Sequence, residues 1–498
     1  MDLWNLANQK RDIHRFSTLI AADTVRKQMG DPASVAKAIE WCKATAITKV
    51  YIESFRNGVT ADRETLVRAR DAFREAGIEA LGCVTTTKVG KVSTRWNLIS
   101  CFTDPATQDH LREILSEAAG IFDEIMIDDF WFTDCACPDC NAARERREVR
   151  VGGRTFAVAG DAWWQYRCEL MTQISRECVL APAKAANPNV KVIIKYPQWY
   201  DRFHLRGYDI ARESVDFDRT WAGTETRDYP GPFAGNVPQY EAYFVMRWIS
   251  SFEPGKCGGG WYDPYGTTER TYVEQARQTI LGGARESLLF AYGSLQQKTG
   301  PRNVEVWREH VPEFFDVAAE VARREPIGVA AYKPANSQHL KEPFVFDFLG
   351  MIGIPLVPCH EFPTDAPAAF FSTHALGDAQ LVPQLSRYVS HVRPILMTDG
   401  LFERLPMQVD LEQYHIRHIP IGADLASLLA LPQEQLDAIR EPLLAPFGLK
   451  LKAPANVAFY PFADGSWVLE NFNDADVAVE LNGECLALPA RGWAQRWE

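Results

Sequence analysis

Between residues 15 and 325, short β-rich runs alternate eight times with stretches of helical period, an order that few folds accommodate. The runs fall at residues 17–22, 49–53, 80–85, 124–128, 190–196, 216–221, 256–261 and 288–292. Helical patterns lie between them, as at 34–44, 63–76, 108–119, 163–185 and 271–284. Eight β-then-α units predict an α/β chain whose residues 1–325 form a (β/α)8 TIM barrel. In that fold chemistry gathers where strands end at their C-termini. The acids at those places are Glu53, Asp128, Asp129, Glu225 and Asp263.

The fourth run is the most informative. Ile125, Met126 and Ile127 lead directly into Asp128 and Asp129, and Cys135, Cys137 and Cys140 follow within a few residues. Three thiolates so close together predict a zinc site, and tetrahedral zinc takes four ligands. Cys101, just before the helix expected to pack on this strand, supplies the fourth. Four thiolates leave no open coordination position, so the expected Zn2+ is structural: it staples a loop and does not activate water.

After Pro326 a second α/β pattern begins, with β-rich runs at 327–332, 354–358, 368–371 and 393–398 and a helical stretch at 344–351. It predicts a flavodoxin- or amidotransferase-like domain over 326–420 that serves interaction, since it holds neither a Cys-His-Glu triad nor a glycine-rich phosphate loop. A linker or helical segment over 421–452 precedes alternating runs and an Asn482-Gly483 turn, which predict a small antiparallel β domain at 453–498.

The architecture and the cysteine spacing together resemble the family 42 glycoside hydrolases, the microbial β-galactosidases. Cys101, Cys135, Cys137 and Cys140 match the order and spacing of that family's zinc site, and 215–221 is similar to its sixth strand. The resemblance implies a barrel, a trimerisation domain, a small β domain, a carbohydrate substrate and a homotrimer. It does not extend to the catalytic pair. That family ends its fourth strand in Asn-Glu, where this chain has Asp128-Asp129, and its seventh in a nucleophilic Glu, where this chain reads Trp261-Tyr262-Asp263. The expectation is therefore a divergent relative, or a separate family on the same scaffold.

Glycoside hydrolysis needs two carboxyl groups flanking the scissile bond. Asp129 is favoured on the fourth strand, with Asp128 close behind, since neighbours on a strand point to opposite faces. Glu225 and Asp263 compete as its partner. Glu225 follows a small-residue stretch that lets backbone approach a ligand, and Arg227 is placed to orient its carboxylate. A strand-four Asp with a strand-six acid is the arrangement of several retaining α-glycosidase barrels, so the lean is to retention and α-specificity, by fold position only. Trp131, Trp199, Trp221 and Trp261 follow four different strands and are candidate sugar platforms, with Glu53, Lys195 and Arg227 as further substrate-binding residues. Glu53 has an alternative role as an ion-pair partner of Arg56. Lys195 opens a rival chemistry, a Schiff-base aldolase or lyase. The departures from family 42 also allow a carbohydrate-binding protein without activity.

Composition closes off other classes. A net charge of −12 without a basic block argues against nucleic-acid binding. No apolar run reaches membrane-spanning length. The first residues lack the basic-then-apolar order of a signal peptide, and eleven scattered cysteines do not make a disulfide framework, so a cytoplasmic location is favoured.

Overall fold

The computed structural model describes residues 2–228, 237–406, 416–419 and 424–498. Eight strands, β1 (Arg15–Ile20), β2 (Ile47–Arg56), β3 (Glu79–Val84), β4 (Glu124–Ile127), β5 (Lys191–Tyr196), β6 (Arg219–Gly223), β7 (Cys257–Tyr262) and β8 (Glu286–Leu289), pair in parallel. The ring closes because β1 pairs with both β2 and β8. It lies in a compact unit formed by Met1–Glu225, Phe252–Pro264 and Ala284–Asp316. The strands are buried along nearly their whole length, as parallel strands covered on both faces must be.

Helices on the outside begin where the sequence supplies caps. Asp31, Asp62 and Asp104 each accept backbone N–H groups in the first turn of Pro32–Ala44, Arg63–Glu75 and Pro105–Ala119, and two of these helices open on proline. Arg63–Glu75 buries Leu66, Ala69 and Phe73, the apolar stripe of its period.

Inside the barrel, Leu19, Tyr51, Leu81, Met126, Ile193, Trp221, Trp261 and Leu288 form one packed cluster. Trp221 fits because β7 faces it with glycine: a Cβ on Gly258 would come within 2.7 Å of its indole nitrogen, and one on Gly259 within 2.9 Å of its six-membered ring. At the N-terminal end of the barrel, Lys49 Nζ lies 3.1 Å from Glu124 Oε1 and 3.0 Å from Glu286 Oε2, all buried.

Two boundaries differ from the expected ones for a physical reason. Asp216 ends the helix Ile210–Asp216, so β6 starts at Arg219 and reaches Gly223 rather than stopping at Trp221. The expected 163–185 helix is divided into Trp163–Ile174, a π-helical turn Ser175–Leu180 and Ala181–Ala186. The stretch after β4 also carries structure that the pattern did not predict, a helix Pro138–Arg146 and a hairpin of Glu148–Val151 with Arg154–Ala157.

A second unit takes in Thr226–Ser251, Tyr265–Gly283 and Val317–Glu498. It holds a parallel sheet of β9 (Val329–Tyr332), β10 (Leu356–Cys359), β11 (Ala369–Phe371), β12 (Ile395–Thr398) and β13 (Ile416–Ile419) in the order β10-β9-β11-β12-β13. That is the flavodoxin-like order 2-1-3-4-5. The expected division at 420/421 lies outside the described residues.

Antiparallel sheets follow, formed by β14 (Leu451–Lys452), β15 (Val457–Pro461), β16 (Trp467–Asn471), β17 (Val477–Leu481), β18 (Glu484–Leu488) and β19 (Trp493–Arg496). Asn482 and Gly483, with φ of 52° and 87°, make the tight turn between β17 and β18 that the dipeptide predicts.

Candidate active site

Lys195 ends β5 with its side chain buried among acids that arrive from other strands. Its Nζ donates to Asp129 Oδ2 at 2.7 Å and to Glu225 Oε1 at 3.3 Å, and lies 3.9 Å from Asp128 Oδ1. The ammonium also sits 4.5 Å from the centre of the Trp261 ring, which stacks on Phe290. Both aspartates reach the same cation because β4 ends at Ile127, beyond which strand alternation no longer applies.

Asp128 is fully engaged. Arg56 Nη2 donates to its Oδ2 at 2.8 Å, Thr85 Oγ1 lies 3.0 Å from the same oxygen, and the Asp129 N–H donates to its Oδ1 at 2.8 Å. Glu53 is equally engaged: Arg56 Nε is 2.9 Å from both its oxygens, the Ala22 N–H donates to Oε2 at 2.7 Å, and Thr85 also contacts it. Glu53 thus takes the ion-pair role. Arg56, foreseen only as a partner of Glu53, and Thr85, which sequence reasoning missed, tie the ends of β2 and β3 to Asp128. Nothing in a run of Ser54-Phe55-Arg56 marks that arginine apart from its nearness to Glu53.

Asp129 and Glu225 remain less constrained. The Asp129 carboxylate is 18% exposed, against 4% for Glu225. Glu225 Oε2 has no hydrogen-bond partner among the described residues, although it is buried. Gly223 makes room for this carboxylate: a Cβ there would come within 2.8 Å of Glu225 Oε2 and 2.9 Å of the Gln198 backbone nitrogen. The small-residue stretch therefore admits Glu225's own side chain, where a ligand was expected.

These contacts separate the two aspartates electrostatically. Burial, reinforced by the Asp128 and Glu225 charges and only partly offset by Lys195, pushes the Asp129 carboxyl up to about 8. Asp128 is buried more deeply still, but Lys195 and Arg56 outweigh that and hold it below the usual carboxylate range. Burial alone would make Lys195 a weaker base, yet its three carboxylate neighbours raise it above an ordinary lysine. A Schiff base needs a neutral amine, so this environment works against the aldolase chemistry.

The other candidates are dispersed. Asp263 is buried just past β7 and is not one of the three carboxylates that reach Lys195. Trp221 is buried in the barrel core, where it packs edge-on against Tyr51. Trp131 is fully buried, packs on Phe102, and donates its indole N–H to Ser175 Oγ at 3.1 Å. Neither ring offers a face to a sugar, because the large apolar surface of each is taken by packing. Trp199 is half-buried among Phe132, Phe203 and Tyr208. Trp261 alone of the four lies against the ionic cluster. Arg227 falls in the second unit, with its guanidinium 5.9 Å from the Tyr265 ring, and the cation beside Glu225 is Lys195.

Cys101, Cys135, Cys137 and Cys140 are buried with all their sulfurs within 4.8 Å of one another. Cys101 Sγ is 3.8 Å from Cys137 Sγ and 3.5 Å from Cys140 Sγ, and Cys137 and Cys140 are 3.6 Å apart. Sulfurs at the corners of a tetrahedral zinc site stand about 3.8 Å apart, given Zn–S bonds of about 2.3 Å. The cluster therefore has the donor set and spacing of a possible metal site. Among the described residues, no helix is long and apolar enough to cross a membrane.

Solved structures share this fold over almost the whole chain. They include the family 42 β-galactosidase Gan42B (TM-score 0.63, 11% identity, 98% of each chain). An α-L-fucosidase of Paenibacillus thiaminolyticus scores 0.64 at 10% identity, covering 94% of this chain and 93% of that one. In sequence the chain is 26% identical, over 69% of its length, to an uncharacterized protein of Saccharolobus solfataricus, and the match spans 59% of that relative. Residues 4–342 match the family described as probable glycosyl hydrolase, catalytic domain, and the chain belongs to that family.

Proposed function

We propose that the protein is a retaining glycosidase in which Asp129 is the general acid/base and Glu225 the nucleophile. The observation that carries this reading is the shared ammonium. Asp129 Oδ2 and Glu225 Oε1 lie 2.7 Å and 3.3 Å from Lys195 Nζ, so they cannot be more than about 6 Å apart. Carboxyl groups about 5–5.5 Å apart support retention, whereas inversion needs roughly 6.5–9.5 Å to admit a water molecule.

The roles follow from the surroundings. A carboxyl pushed up to about 8 keeps its proton at neutral pH and can give it to the departing glycosidic oxygen. Glu225, with one oxygen bonded to Lys195 and the other unpartnered, attacks the anomeric carbon as the bond to that oxygen breaks. Asp129, now ionised, removes a proton from water, and the resulting attack releases the sugar and restores Glu225. Asp128, Arg56, Glu53 and Thr85 are positioning residues. Trp261, buried and stacked on Phe290, carries the Lys195 ammonium over its ring and so belongs with them. The α-specific lean rests on fold position, so aryl α-glycosides are the first substrates to assay.

Four buried thiolates suit zinc held in a closed, structural role on the loop that carries Asp129. The catalytic test uses an aryl glycoside with a good leaving group. Glu225→Ala should lose turnover and regain it with azide, giving a glycosyl azide, whereas Asp129→Asn should retain its first step and stall at hydrolysis. Unchanged turnover in both variants would overturn the assignment.

A further inference from the structure

Beside the loop that follows β4, a cavity of about 350 Å3 is lined by Arg95, Trp96, Asp134, Arg167, Leu205 and Arg206. Its charge is lopsided, with three guanidinium groups facing one carboxylate. Asp134 already has partners: Arg206 Nη1 lies 3.2 Å from its Oδ2, and Ser93 Oγ donates to its Oδ1. Arg167 is 9% exposed, with Nη1 donating to Leu205 O at 2.8 Å and Nη2 to Asp134 O at 3.4 Å, while its Nε has no partner among the described residues. Arg95 is exposed. Burial, together with the charges of Arg95 and Arg206, holds Arg167 below the usual guanidinium range, so the three cations repel one another across the cavity. Like charges brought together at a partly desolvated site are stabilised when an anion enters between them.

The walls suit a sugar as well as an anion. Trp96 lines the cavity and is 39% exposed, although it stacks on Phe132 at a ring separation of 5.9 Å and packs against Phe130 at 5.7 Å. Arg206 lies over the same Phe132 ring, 5.5 Å from its centre. An aromatic plane beside planar guanidinium forks is the combination that holds a pyranose carrying a carboxylate. Asp134 is five residues beyond Asp129, so their Cα atoms are at most about 18 Å apart, within the length of a short oligosaccharide.

We propose that this cavity is a substrate subsite for an acidic sugar, a uronic acid unit of the oligosaccharide whose scissile bond lies at Asp129 and Glu225. The proposal rests on the glycosidase reading for the site it adjoins, but it is tested by binding and therefore separately from turnover.

The experiment titrates full-length protein, in a calorimeter and without turnover, with three probes: D-glucuronate, D-glucose and inorganic phosphate. It compares the wild type with Arg206→Gln and Arg95→Gln, whose exposed side chains make a folding failure avoidable; circular dichroism confirms the fold of each. Glucuronate should bind, weaken at least tenfold in either variant, and weaken further as salt rises, while glucose binds at least tenfold more weakly and is indifferent to the substitutions. Phosphate binding without glucuronate binding would overturn the sugar assignment in favour of a free-anion site. Equal affinity for glucose and glucuronate, or no binding of any probe, would overturn the subsite. If glucuronate binds as described while Asp129 and Glu225 variants keep full turnover, the catalytic reading fails and the subsite stands.

Discussion

Lys195 Nζ donates to Asp129 Oδ2 at 2.7 Å, joining the ends of β5 and β4 through one buried ion pair. The same ammonium reaches Glu225 and Asp128, so a single cation draws the three acids together. Removing that charge while keeping the apolar stem isolates its electrostatic role. Lys195→Met should lower kcat/KM by about 10²–10³, the scale on which a preorganised donor to a developing charge acts. It should also shift the alkaline limb of the pH profile upward, because Lys195 lowers Asp129. Steady-state kinetics across pH check both, and an unaltered rate with an unaltered limb would show that the lysine only packs.

The pH profile itself is a prediction. A general acid must be protonated, and Asp129 loses its proton near 8, so kcat/KM should fall as pH rises through about 8. Stability moves in the same sense. Asp129 sits above its unfolded value, so the folded chain binds the extra proton between roughly 4 and 8, and unfolding free energy declines as pH rises across that window. Thermal melts of wild type and Asp129→Asn should converge at acid pH, with the variant melting higher near pH 8.

The cysteine cluster predicts about one zinc per chain by elemental analysis. Cys137→Ser, or prolonged chelation, should lower Tm and loosen the 128–140 loop to proteolysis, while the eight-stranded barrel persists by circular dichroism. A metal-free preparation that melts at the temperature of the untreated protein would exclude a structural ion.

At the other end of the barrel, Lys49 is a stability prediction remote from the proposed chemistry. Lys49→Met leaves Glu286 buried without its cation and should cost about 3–5 kcal/mol in chemical denaturation, the usual effect of breaking a buried pair from one side. Lys49→Met with Glu286→Gln should recover part of that loss.

Some of this was legible in the chain itself. The eight β-then-α units, the second α/β pattern and the Asn482-Gly483 hairpin follow from apolar periodicity and turn chemistry, which act over a few residues and so leave a local trace, whereas the strand order of the second sheet and its fifth strand, Ile416–Ile419, do not. The four cysteines were legible for a related reason: three share one short loop, and thiols packed that densely are rarely accidental.

The site was legible only as a set of strand-end acids. Choosing among them depends on which side chains meet across 30 to 100 residues of chain, and pairing of that kind leaves no mark in spacing. In sequence Lys195 reads as a substrate-binding residue with a rival Schiff-base role, until Asp128, Asp129 and Glu225 are seen around it. Trp131, Trp221 and Trp261 look alike in sequence and all are buried; only their neighbours separate them, because Trp261 alone lies under the Lys195 ammonium. By itself the sequence determined the barrel and pointed to the four-cysteine cluster, since both are written largely in local pattern. Only the tertiary structure decided which acids share one ammonium and which arginines share one cavity, because those charges act through space, over a few ångströms, between strands and loops that the chain brings together only on folding.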